Sequence, residues 1–313
     1  MSIQNVLVKE LLRLTRKPIY TSEHTLRQHI ARDRKKEKGD PPPSMQRACQ
    51  IERGSWQEVT CYTMRPFHGK GANGHVLYLH GGGYVFEMVP PHWQLLANLI
   101  NRSDVTATVP LYPLASEHTY RDTYPLLLAL YQHLCDTLHP ENLTIMGDSA
   151  GGGLALALAL RLRDAGASLP AAIVVLSPWT DLALTGASLR NNAAADPIGN
   201  AAVAAFLASH YLAGGDPRNP YASPLYGEPA GLPPSLLQVG SDEILLDDSV
   251  RMADRMRLAG CEVALEIWPR MPHVWHAFAP TIPEAGRAIT RVGAFVQQQT
   301  ARGRLVSQTG GRR

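Results

Sequence analysis

Cysteine is scarce in this sequence: Cys49, Cys61, Cys135 and Cys261 stand far apart, with no C-x-x-C among them. That spacing argues against a zinc site and against the disulfide framework of a small secreted domain. Long apolar runs are missing too, and none approaches the ~20 residues needed to span a bilayer. Near the N-terminus Val6, Leu7, Leu11, Leu12 and Leu14 are interleaved with Lys9, Glu10, Arg13 and Arg16, which breaks any signal-peptide core. Nor is there an excess of one charge. Lys and Arg number 30 against 27 Asp and Glu, and the dense basic run RDRKKEK, Arg32 to Lys38, is interrupted by acids. A balance of this kind leaves no electrostatic footprint for nucleic acid, and the run reads as a solvated helix face. The expectation is a cytoplasmic protein with reduced thiols, no metal, no nucleic-acid partner and no membrane span.

What is present is enough for a full core: 45% of the 313 residues are hydrophobic and 18% charged. Apolar spacing predicts one helix in the first fifteen residues and a second from Ser22 to about Lys36, closed by the prolines of GDPPPS. Thereafter short β-rich runs (EVTCYTM, HVLYLHG, DVTATVP, LTIMGDS, AAIVVLSP, SLLQVGS, EVALEIWP) alternate with helical stretches. Continuous apolar strands between helices predict an α/β fold, a mainly parallel sheet covered on both faces. An Ala-rich insertion at about 183–215 interrupts the alternation and reads as part of a cap. The last strand alternates Val263, Leu265 and Ile267 with Glu262, Ala264 and Glu266, as an edge strand does, and such an edge suits a homodimer. The tail GRLVSQTGGRR lacks an apolar period and reads as mobile.

Chemistry concentrates in three places. Gly147-Asp148-Ser149-Ala150-Gly151 is a G-x-S-x-G immediately after a strand and before a helix, the context of a nucleophile elbow. His80-Gly81-Gly82-Gly83 also follows a strand. Glycines in a row carry the highest ordering cost, so bare backbone is needed there. Gly81, Gly82, Gly83 and Ala150 are the candidate oxyanion hole, with the N–H groups of Gly82 and Gly83 converging on a carbonyl oxygen as it gains charge. His80 reads as a loop-fixing hydrogen bonder. The candidate general base is His273, just past the last strand, with His276 as its neighbour and competitor. For the acid that holds the base, strand SLLQV ends at Gly240, which admits Asp242 and Glu243. Asp247 and Asp248 belong to the start of the next helix, as caps. The aromatics Tyr84, Trp93, Phe206, Tyr211 and Trp275 are candidates to line a substrate pocket.

HGGG at His80 to Gly83, GDSAGG at Gly147 to Gly152 and MPHV at Met271 to Val274, with LSPWTDL at Leu176 to Leu182 and ASPLY at Ala222 to Tyr226, resemble the hormone-sensitive-lipase-like esterases, or bacterial family IV. The resemblance runs from about Thr60 to the final helix. It implies an α/β-hydrolase fold: a mostly parallel eight-stranded sheet flanked by helices, with residues 1–45 as the N-terminal part of a small helical cap and 46–313 as the catalytic domain. It also implies a cofactor-free carboxylesterase acting on small esters of short acyl chains. The family's acid motif is Asp-Pro-Leu. Counting back from MADRMRLAG places Glu243 at the acid position, with Ile244 where the proline stands. The expected triad is Ser149, His273 and Glu243. Amide, lactone or acetylated-metabolite hydrolysis on the same triad, or a non-catalytic ligand-binding relative, are the alternatives.

Overall fold

A computed structural model describes residues 2–16, 22–33, 39–69, 71–279 and 281–310. Eight strands form one sheet: β1 (Gln50–Trp56), β2 (Val59–Arg65), β3 (His75–Leu79), β4 (Thr106–Pro110), β5 (Leu143–Asp148), β6 (Ala172–Leu176), β7 (Ser235–Gly240) and β8 (Val263–Trp268). Their order across the sheet is β1-β2-β4-β3-β5-β6-β7-β8; β1 with β2 and β2 with β4 are antiparallel, and all other neighbours are parallel. The parallel centre follows from composition, since β3, β5, β6 and β7 are buried at every residue. Successive side chains point to opposite faces. Leu77, Leu79, Ile145, Ile173, Val175 and Leu237 enter one core, while Val76, Tyr78, Met146, Val174, Leu176 and Leu236 enter the other.

Helices α1 (Ile3–Thr15), α2 (Glu23–Asp33), α3 (Pro90–Ser103), α4 (Tyr120–Leu138), α5 (Ala150–Asp164), α6 (Ser188–Asn191), α7 (Ala201–Leu212), α8 (Leu246–Leu258) and α9 (Pro283–Gly310) complete the described chain. Residues of α4, α5, α7 and α8 fill the first core, and those of α1, α3 and α9 the second. Helix α5 is apolar all round because it lies between the sheet and other elements, with buried residues on every side. No helix among the described residues is long and apolar enough to cross a membrane.

Two expectations are corrected here. Strand β1 has no counterpart among the runs picked out in the sequence, because it is an edge strand whose residues are mostly exposed and do not alternate. The tail from Gly303 continues α9 to Gly310 and is helical, packed through Gly303 against Glu141; residues 311–313 lie outside the described residues. The basic run is described only at Arg32 and Asp33, the last residues of α2, and its remainder, 34–38, also lies outside.

Helix α1 turns Val8 and Leu12 inward and is tied at several polar points, among them Arg13 Nη2 donating to Ala195 O (3.4 Å). Ser2 donates to Glu284 through its N–H (2.9 Å) and hydroxyl (2.8 Å), Asn5 Nδ2 donates to Arg270 O (3.1 Å), and Lys9 pairs with Asp242.

Candidate active site

The site lies at the C-terminal ends of the parallel strands, where loops leave a rigid sheet. Between β5 and α5 the turn is so tight that Ser149 takes φ +53°, ψ −122°, a strained conformation for a non-glycine residue. The residues two positions to either side of it must be glycine. A Cβ on Gly147 would stand 2.2 Å from Gly151 O, and one on Gly151 would stand 2.0 Å from Leu79 O. The Ser149 backbone is anchored on both sides, its N–H donating to Leu176 O (2.8 Å) and its carbonyl accepting from Trp179 N–H (2.9 Å).

Two loops bring further groups to the Ser149 hydroxyl. His273, beyond β8, places Nε2 2.9 Å from Ser149 Oγ and Nδ1 2.8 Å from Glu243 Oε2. A carboxylate only accepts, so Nδ1 carries the ring proton and Nε2 presents its lone pair to the hydroxyl. Withdrawal from water pushes the imidazole pKa down, yet the hydrogen bond and charge of Glu243, with the charges of Asp196 and Asp148, outweigh that and hold it above its ordinary value. Glu243 is fully buried, and its Oε1 accepts from Ser177 Oγ (2.7 Å) and Gly240 N–H (2.6 Å).

The other acids of the 239–249 segment are occupied elsewhere. Asp242 pairs with Lys9. Asp247 accepts from Ser188 N–H (2.9 Å), and Asp248 accepts from Thr180 N–H (2.7 Å) and Asp181 N–H (2.9 Å). Both stand in the first turn of α8, as expected, but Asp247 serves the start of α6 and Asp248 the loop after β6 rather than capping their own helix. Burial pushes Asp248 up to about 7, against its N–H donors, with the nearby Asp181 charge adding to the rise. His276 is fully buried, bonded to Gln238 (2.8 Å), and pushed down by burial to about 3.

The glycine run divides. Gly82 and Gly83 have φ +121° and +63°, and a Cβ on either would meet Phe86 O or Leu207 at 2.6 Å. Both line the cavity beside Ser149. Gly81 corrects the expectation: its single N–H donates to Asp148 Oδ1 (2.9 Å), so it is not available to a substrate oxygen. Asp148 also accepts from Tyr78 OH (2.5 Å). His92 Nδ1 accepts from Val89 N–H (3.0 Å), which puts the His92 proton on Nε2, 3.4 Å from Asp148 Oδ2. Burial pushes the Asp148 carboxyl up, but His92, Tyr78 and Gly81 prevail and hold it at about 2. His80 bonds Gly81 O through Nδ1 (2.7 Å), stacks on Tyr112, and is pushed by burial down to about 4.

A family model for the alpha/beta hydrolase fold matches residues 76–277. An acetyl-hydrolase of Streptomyces hygroscopicus is 40% identical over 245 residues, 78% of this chain and 81% of that protein. Among solved structures, the esterase EstE5 superposes with TM-score 0.86 at 36% identity, over 96% of this chain and all of that one. An esterase from the bacterial hormone-sensitive lipase family superposes with TM-score 0.83 at 34% identity, over 96% and 99%. The chain belongs to the α/β-hydrolase family, among the hormone-sensitive-lipase-like esterases. It is a carboxylic ester hydrolase.

The cavity of this esterase measures about 260 Å³ and joins Ser149 and His273 to residues of the N-terminal helical part, Leu12, Arg16 and His29, and to Val203, Ala204 and Leu207 of α7. The aromatics expected to line it do not. Tyr84 and Tyr211 stack on each other at 3.7 Å inside the first core, Trp93 packs edge-on to Tyr62 and donates to Gly39 O, and Phe206 lies under Arg27. Trp275 is fully buried in the second core. The wall is built instead by Phe86, Trp179, Ile244 and Leu207. Of these, Trp179 stood in a quoted motif, while Phe86 and Leu207 carry no sequence signal beyond their apolar character. Asp196 was also missed. It is buried, borders the cavity, and accepts from the N–H groups of Ile198, Gly199 and Ile244 at 2.9, 2.7 and 2.9 Å.

Proposed function

We propose that the esterase hydrolyses small esters of short acyl chains through a covalent acyl-enzyme on Ser149. His273 Nε2 takes the hydroxyl proton as Oγ attacks the ester carbonyl. Glu243 fixes the tautomer and stabilises the imidazolium that forms. The N–H groups of Gly82, Gly83 and Ala150 receive the oxyanion, and Ala150 stands at the start of α5, where the helix dipole favours negative charge. His273 then returns the proton to the leaving alcohol, and water repeats the sequence to release the acid. The observation that carries this reading is the imidazole bridging Ser149 Oγ and Glu243 Oε2 at 2.9 and 2.8 Å.

The short-chain preference rests on the cavity, whose volume of about 260 Å³ lies below the usual range for drug-sized ligands, about 300 to 1,000 Å³. Residues 1–45, through α1 and α2, and about 183–215, through α6 and α7, act as its cap. Purified Ser149→Ala is expected to lose ester turnover while keeping its fold. An organophosphate should add its mass to the Ser149 peptide; substantial residual hydrolysis by the variant, or labelling elsewhere, overturns the reading. In a series of p-nitrophenyl esters kcat/KM should fall as the acyl chain lengthens, and a flat or rising series removes the chain-length preference.

A further inference from the structure

Ser177 follows β6 and is fully buried, with φ +49°, the left-handed region that favours glycine. A serine kept in a glycine-favouring conformation raises the question of what its hydroxyl does. Val274 N–H donates to Ser177 Oγ (3.1 Å), and Ser177 Oγ donates to Glu243 Oε1 (2.7 Å). The direction of this relay is fixed, because an amide can only donate and the hydroxyl has one proton to pass on. Val274, the residue after His273, is itself held at φ +48°, unusual for a β-branched side chain. The same short turn reaches the nucleophile, since Leu176 O accepts from Ser149 N–H and Trp179 N–H donates to Ser149 O. One turn therefore touches the segments carrying all three members of the triad.

We propose that Ser177 is a positioning residue for ester hydrolysis: its hydroxyl commits Oε1 of Glu243, leaving Oε2 for the imidazole, and holds the backbone of the histidine loop. The proposal rests on the Ser149–His273–Glu243 reading above. The terminal torsion of a glutamate is soft. With Gly240 N–H as its remaining donor on Oε1, the carboxylate is freer to turn its other oxygen away from Nδ1. Acids and bases that face His273 besides Glu243 are Asp196, Asp148 and His276, and Ser177 is hydrogen-bonded to none of them.

The test compares wild type with Ser177→Ala and Ser177→Gly in the full chain, on a p-nitrophenyl ester of a short acid. Glycine suits φ +49° and lacks only the hydroxyl, so it keeps the backbone and removes the relay. Both variants are expected to lose about 10- to 100-fold in kcat, as for a small misplacement of a catalytic group, with KM nearly unchanged. The acid limb of kcat/KM should move to lower pH, because a loosened Glu243 stabilises the imidazolium less. A Ser177→Gly enzyme with wild-type kcat and an unmoved acid limb overturns the proposal, as does a loss of activity that leaves the acid limb in place. Ser149→Ala assayed in parallel separates the two readings. Residual turnover there removes the triad itself; an inert Ser149→Ala beside a fully active Ser177→Gly removes only the role of Ser177.

Discussion

The nucleophile and the acid are held in place by different means. Ser149 sits on a turn dictated by backbone contact, with Gly147 and Gly151 so close to carbonyl oxygens that no side chain fits. Glu243 sits on a loop tied down by side chains from distant segments. Asn192 Nδ2 donates to Ser241 O (3.1 Å) and Glu243 O (2.7 Å), Ser188 Oγ to Ile244 O (2.7 Å), and Asp196 receives Ile244 N–H. A backbone device tolerates no substitution but is local in sequence. A side-chain device yields by degrees, and its parts are scattered over some 60 positions.

That contrast can be broken experimentally. The largest effect is expected for Glu243→Gln, which keeps the shape but not the charge: kcat should fall about 10⁴-fold, as when a triad acid is neutralised, while Asp242→Asn keeps nearly full activity. Comparable losses from both substitutions, read by steady-state kinetics, would erase the distinction between these adjacent acids. Next comes Gly151→Ala, whose methyl must displace Leu79 O. It should cost about 3 kcal/mol or more of stability in denaturant unfolding, the signature of a turn fixed by sterics. Asn192→Ala should cost about 1 to 2 kcal/mol, the scale of lost hydrogen bonds to buried groups, and lower kcat by roughly tenfold. A stability loss as large as that of Gly151→Ala would make the two devices equivalent.

The pH profile sharpens the comparison further. His273 must be unprotonated to act as base and its pKa is raised, so the acid limb of kcat/KM should lie above the usual histidine value of about 6.5. In Glu243→Gln the main stabiliser of the imidazolium is gone, and the limb should shift down. The smallest effect is expected for Lys9→Met, which leaves Asp242 without its partner at a site open to some water, about 1 kcal/mol by thermal unfolding.

Legibility in the sequence followed the same division. Ser149 and the glycines around it could be read because their geometry is set within five consecutive residues, and the order of serine, acid and histidine along the chain follows the sheet. The amide of Gly81 could not be assigned, since its fate depends on Asp148, 67 residues away. Asn192 and Asp196 carry no local pattern, and Ser177, though it stands in LSPWTDL, gave no sign there of its bond to Glu243, 66 residues away. Tyr84, Trp93 and Tyr211 misled because large aromatics fill cores as readily as pockets, and nothing in a residue type says which way it faces. Strand β1 escaped for want of a buried face, and the helix through Leu305 and Val306 for want of an apolar stripe.

Helix α1 precedes its polar partners by a long way: 282 residues for Ser2 to Glu284, 265 for Asn5 to Arg270, 233 for Lys9 to Asp242 and 182 for Arg13 to Ala195. Loop closures of that length come late, after local contacts have formed. During vectorial synthesis most of these partners, on the acid loop, the histidine loop and the start of α9, are made long after α1 itself. Because Leu12 of this helix borders the cavity beside Ser149, the part of the wall that α1 supplies is expected to be completed late, after the sheet and the catalytic loops.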